Sequence, residues 1–129
     1  MPLVTVSTRK GRTHSEKKAL LDAIHGALVE TFRIPLYDRN QRFCEFDEGD
    51  FEIPPGRTPR FTLVELTVFP GRSRETKRAL YQAIVRRLGG LGIDPLDVLI
   101  VLHEPPMENW GIRGGVPASE VDLGFKIDV

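Results

Sequence analysis

Hydrophobic and polar positions alternate in two stretches of this chain. Val4 and Val6 are separated by Thr5 and Ser7 within residues 3–7. Residues 61–69, FTLVELTVF, alternate around Glu65 and Thr67 and are rich in β-branched and aromatic side chains. A period of two with that composition predicts a strand in each place. Each strand runs into a turn, Lys10-Gly11 or Pro70-Gly71, after which the period changes. Ala19, Leu20, Ala23, Ile24, Ala27 and Leu28 fall at i, i+1, i+4, i+5 spacing, and Ala79, Leu80, Ala83, Ile84 and Leu88 repeat that stripe. The spacing predicts two amphipathic helices. Thr13 and Ser73 are candidate N-caps, and Thr13 with Glu16 reads as a capping box. Gly89-Gly90 is a stop signal for the second helix. Residues 42–46 (RFCEF) and 97–103 (DVLIVLH) supply a further strand after each helix.

The two patterns are copies of one another. LVTVSTRKGRTHSEKKALLDAI at residues 3–24 aligns with LVELTVFPGRSRETKRALYQAI at residues 63–84, with nine of 22 pairs identical. Two copies of this length are too few and too long for a solenoid, so each is one supersecondary unit. Strand–helix–strand order favours parallel pairing through a right-handed crossover. The expected fold is α/β (α+β): duplicated β-α-β units forming a four-stranded, mainly parallel sheet with two helices on one face. One domain spans residues 1–129, with repeat halves at about 2–47 and 61–103. The proline- and glycine-containing loop 48–60 joins them, and an irregular segment 104–129 follows. One sheet face stays bare in a lone copy, which predicts self-association.

Composition narrows the function classes. Eighteen basic and 18 acidic residues give zero formal charge, which points to no nucleic acid and no anionic membrane as a partner. No apolar run is long enough to span a bilayer, and MPLVTVSTRK lacks the form of a secretory signal. A cytoplasmic, soluble protein is expected. One cysteine, Cys44, excludes an internal disulfide framework and a cysteine-rich zinc site; its default is core packing. His14, His25 and His103 have no metal-ligand spacing, so no metal or cofactor is expected, and His25 reads as a packing or surface residue on its helix. GIRGG at 111–115 lacks the Lys-Ser/Thr of a phosphate loop.

A proline directly after the initiator Met, a duplicated β-α-β unit and Arg72-Ser73-Arg74 at the start of the second helix together resemble the tautomerase superfamily. Residues 11–41, the PGRSRETK stretch at 70–77 and ENWGIRGG at 108–115 are similar to its malonate semialdehyde decarboxylase branch. The resemblance implies a homotrimer whose processed N-terminal proline is the catalytic amine. It also implies that paired arginines hold a small carboxylate substrate and that Asp38 lies near the proline. An aromatic residue is expected in that branch where Ile112 stands, so the departure bears on wall shape and substrate preference.

The residue chemistry fits those roles. Pro2 freed of Met1 is a secondary amine, with a reference pKa of roughly 7.7–8 that burial or nearby cations lower. Such an amine suits general acid–base work near neutral pH. Arg72 and Arg74 sit where a strand passes into a helix, a place that favours anions, and an arginine fork matches a carboxylate. Arg12 is the repeat mate of Arg72, but His14 replaces the mate of Arg74, so the clamp is assigned to the second half alone. Asp38 would stabilise the protonated amine, orient a water or fix the substrate carbonyl; the bland alternative is a turn aspartate. Trp110 and Ile112 would form an apolar wall, and Tyr37 either reaches the pocket mouth or packs. The favoured activity is decarboxylation of a small 3-oxo acid. The alternatives are keto–enol tautomerisation of 2-oxo acids, with possible hydratase side activity, and a trimeric binding protein without turnover.

Overall fold

The alternating stretches become strands and the stripes become helices in the computed structural model, which describes residues 2–129. In chain order these are β1 (Leu3–Arg9), α1 (His14–Phe32), β2 (Gln41–Phe46), β3 (Thr62–Thr67), α2 (Arg74–Gly89), β4 (Val98–His103), β5 (Gly111–Ile112) and β6 (Val116–Pro117). The caps are as read. Thr13 Oγ1 accepts from the Glu16 amide at 3.1 Å while Glu16 Oε1 accepts from the Thr13 amide at 3.2 Å. Ser73 accepts from the Thr76 amide at 3.1 Å without the reciprocal half, because Thr76 replaces the glutamate. β1 runs two residues past the expected end, since Thr8 and Arg9 continue the ladder opposite Glu45 and Phe46.

The main sheet has the order β2-β1-β3-β4. Its outer pairs are parallel, as the helical crossovers require, and its central pair, β1 with β3, is antiparallel. The sheet is therefore mixed: two parallel pairs meet head to tail, with Val6 opposite Val64. This arrangement decides where the chemistry falls. Leu3 at the start of β1 lies opposite Thr67 at the end of β3, so Pro2 stands beside the turn that carries Arg72.

Both helices pack on one face. Leu20, Ile24 and Leu28 of α1 and Leu80, Ile84 and Leu88 of α2 are buried against Val4, Val6, Val64 and Leu66. Burying side chains of this size contributes roughly 1.5–3 kcal/mol each. The repeat breaks at Arg87, the mate of Ala27, for a visible reason: its guanidinium lies over Gly26 of α1 and pairs with Glu30 at 3.0 Å. A β-carbon at Gly26 would sit 2.5 Å from Arg87 Nη1. His25 is a packing residue, buried with Nε2 2.8 Å from the Leu36 carbonyl oxygen.

The connecting loop is held rather than loose. Asp97 accepts from the Thr58 amide at 2.9 Å and from its hydroxyl, and the rings of Phe46, Phe51 and Phe61 pack in series, tilted, with centroids 5.6 and 6.3 Å apart. On the opposite sheet face Leu99 and Val101 are 49% and 36% exposed, beside Leu63 and Glu65. Cys44 belongs to this outward face, half-buried, and not to the core: strand alternation gives the inward position to Phe43. The C-terminal segment forms the β5–β6 hairpin and a second small core of Phe69, Trp110 and Ala118, flanked by Leu3, Ile112, Leu123 and Ile127. It ends against α2, where the Val129 carbonyl accepts from the Ser73 amide at 2.9 Å. Among the described residues no helix is long and apolar enough to cross a membrane.

Candidate active site

The antiparallel centre brings Pro2 and Arg72 together. They line one recess with Phe32, Ile34, Val68 and Phe69, and that recess admits no water-sized sphere. Arg72 is 7% exposed. Its Nη1 and Nη2 donate to the carbonyls of Phe69 and Phe32 at 3.3 and 3.4 Å, and its guanidinium carbon lies 4.7 Å from the centre of the Phe32 ring. Its Nε is buried without a hydrogen-bond partner among the described residues. Burial pushes the guanidinium below its usual pKa, while Glu104 and then Asp38 pull it back. Glu104 is itself paired with Lys77 of α2 at 2.6 Å.

A second, roomier cleft shares Phe69 as a lining residue and has about 200 Å³ of free space. Tyr37, Asp38, Ile112, Arg113, Leu123 and Phe125 line it with Phe69. Asp38 is placed by the turn after α1, where its amide donates to the Pro35 carbonyl at 3.0 Å. Tyr37 is 85% exposed, which sets it at the mouth.

The residues singled out from the sequence thus divide into groups. Pro2 and Arg72 share the recess, while Asp38, Tyr37 and Ile112 share the adjoining cleft. Arg74, the first residue of α2, is exposed and lines neither. Trp110 lines neither: it is buried edge-on against Phe69, centroids 4.7 Å apart, with Nε1 donating to the Pro105 carbonyl at 3.1 Å. Its place is behind the wall, and Phe69 is the wall. Sequence reasoning passed over Phe69, although the signal existed: its repeat mate is Arg9, and an aromatic ring in place of an arginine marks the end where the halves differ. Leu123 and Phe125 were missed because a segment without periodicity does not say where it folds back.

Comparison with known proteins accords with this architecture. Residues 38–113 match a family model described as "Tautomerase enzyme", and residues 2–55 match a second model of the same description. The chain is 29% identical over 121 residues to the probable tautomerase YusQ of Bacillus subtilis (strain 168), covering 89% of this chain and 95% of that one. A crystal structure of malonate semialdehyde decarboxylase superposes with a TM-score of 0.81 at 33% identity, covering 87% of this chain and 92% of the other. A fused 4-OT described as a wild-type symmetric trimer superposes at 0.80 with 29% identity, covering 91% and 96%. The chain belongs to the tautomerase family and has its duplicated β-α-β fold. It is an enzyme of that superfamily, a decarboxylase or a tautomerase.

Proposed function

We propose that this enzyme decarboxylates a small 3-oxo acid such as malonate semialdehyde without a cofactor, using the amine of Pro2 after removal of Met1. The observation that carries the reading is the meeting of Pro2 with a buried arginine whose Nε lacks an acceptor. A substrate carboxylate supplies that acceptor, and this reading assigns Arg74, exposed at the start of α2, as its second holder. Freed of Met1, Pro2 is a secondary amine; a neighbouring cation such as Arg72 favours its neutral form and a carboxylate such as Asp38 its protonated form.

Protonated Pro2 donates to the aldehyde oxygen. The bond between the carboxylate carbon C1 and C2 breaks, carbon dioxide leaves, and the electron pair passes through C2 and the aldehyde carbon C3 to the oxygen, which protonated Pro2 holds as an enolate. The Pro2 ammonium gives its proton to C2, which yields acetaldehyde, and the amine takes up a proton from solvent before the next turnover. Phe69, backed by Trp110, and Ile112 give this step an apolar wall that disfavours the starting carboxylate. The chain works as a homotrimer, with Leu63, Leu99 and Val101 covered between copies; the fused 4-OT trimer supports this.

Tautomerisation of 2-oxo acids is the second reading. The 200 Å³ cleft is roomier than a three-carbon acid needs, and YusQ is described as a probable tautomerase. Neutral Pro2 then moves a proton between oxygen and carbon while the arginines anchor the same carboxylate. The experiment is proton NMR of malonate semialdehyde with protein whose intact mass confirms loss of Met1. Acetaldehyde from the wild type and none from Pro2→Ala is expected. Absence of acetaldehyde together with Pro2-dependent deuterium exchange at C3 of a 2-oxo acid would establish the second reading instead.

A further inference from the structure

The repeat has a second strand-to-helix turn, and the structure puts a cavity there. The alignment that pairs Arg12 with Arg72 also pairs Thr62 with Pro2. Because β1 and β3 are antiparallel, the end of β1 lies against the start of β3, so Arg12 meets Thr62 as Arg72 meets Pro2. Arg12 Nη2 donates to the Arg60 carbonyl at 3.0 Å and to Thr62 Oγ1 at 3.4 Å. Its Nε is buried and has no hydrogen-bond partner among the described residues, as is the case for Arg72. The adjoining cavity has about 80 Å³ of free space and is lined by Arg12, Arg60, Glu16, Ala19, Leu20 and Leu91.

Charge in this cavity is unbalanced. Glu16 is the sole acidic side chain among the lining residues, and its Oε1 is committed to the Thr13 amide. Burial and then the neighbouring Arg60 lower the pKa of Arg12, with Glu16 and Glu45 opposing them. His14 stands where the second half has Arg74, yet a second cation is present all the same: Arg60 supplies it from the connecting loop. Leu20 and Leu91 give the cavity an apolar side.

We propose that this cavity is a second small-carboxylate site, built on Arg12 and Arg60, in which Thr62 stands in place of the catalytic proline. It binds without turnover, because a threonine amide within a strand offers no basic nitrogen. The apolar side and the limited volume select short aliphatic carboxylates. This inference does not depend on the reaction at Pro2; it depends on the guanidinium geometry of Arg12.

The test is side-chain NMR of protein labelled with ¹⁵N-arginine, titrated with sodium pyruvate at constant ionic strength made up with chloride. Assignments come from Arg12→Lys and Arg72→Lys. A saturable shift of the Arg12 Nε–H signal, retained in Arg72→Lys, is expected. Arg60→Gln changes an exposed residue and leaves the Arg12 anchors in place; it should weaken that titration about tenfold, the loss of one charged hydrogen bond. Movement of the Arg72 signal without the Arg12 signal overturns the second site and leaves the clamp at Pro2 standing. Movement of Arg12 alone supports the second site and removes the clamp. Stillness of both overturns both.

Discussion

Arg72→Met separates holding the fold from holding a substrate. The substitution removes two hydrogen bonds to the Phe69 and Phe32 carbonyls, which at 3.3 and 3.4 Å are long ones. Together they contribute about 1–2 kcal/mol. The stacking on Phe32 at 4.7 Å adds about 1 kcal/mol. Against these losses stands relief of burying a cation whose Nε has no acceptor, on the order of 1–3 kcal/mol. The terms nearly cancel, and the methionine side chain keeps the apolar contacts. The melting temperature should therefore move by less than about 6 °C. Activity should behave differently. Two charged hydrogen bonds to a substrate carboxylate are together worth roughly 4 kcal/mol, so kcat/KM should fall about a thousandfold. The assay pairs acetaldehyde formation by NMR, at substrate below KM, with a thermal melt of the same sample. A folded variant that keeps more than a tenth of wild-type kcat/KM would refute the clamp. A melt that collapses with the activity would make Arg72 a structural residue.

Two further outcomes follow from the scaffold. Asp97→Ala should cost about 2 kcal/mol in urea unfolding at neutral pH, because it removes the two hydrogen bonds by which the buried Asp97 carboxylate holds Thr58 and so frees the connecting loop. Burial pushes the Asp97 carboxyl up, but the bonds from the Thr58 hydroxyl and amide, and then Arg57 and Arg60, outweigh it and hold the pKa below the usual range. A depressed carboxyl stabilises the fold fully above its unfolded-state value of about 3.9, and that stabilisation fades as pH falls through the folded-state pKa. The difference between wild type and Asp97→Ala should thus shrink below about pH 4; a difference that persists unchanged there would show the carboxylate's charge to be irrelevant. Val101→Asp places a charge on the outward sheet face without touching the helix-packed core. Sedimentation should find single copies with an unchanged circular dichroism spectrum, and an intact trimer would mean that this face is not the one between copies.

Local rules carried most of the architecture. Period two at Val4 and Val6, the i, i+4 stripe from Leu20 to Leu28 and the Thr13–Glu16 box are set by neighbours a few residues apart, and those interactions are the same in any fold. The duplicated 22-residue stretch showed that the elements come as two equal units, and Pro2, Arg72 and Arg74 stood out because their chemistry is unusual at those places. What the local rules leave open is how the halves meet. Pairing of β1 with β3 joins residues about 60 apart, and the choice of an antiparallel centre depends on both helices burying their stripes in one layer. That pairing alone put Pro2 beside Arg72 and Thr62 beside Arg12. Burial did the rest: it set Trp110 behind Phe69 in place of the wall itself, left Arg74 outside, turned Cys44 away from the core and folded Phe125 back over the cleft. Sequence thus determined the parts and their chemistry, because those rest on short-range backbone and side-chain preferences. Tertiary structure decided which parts touch, because contact between distant segments is settled by the packing of the whole chain.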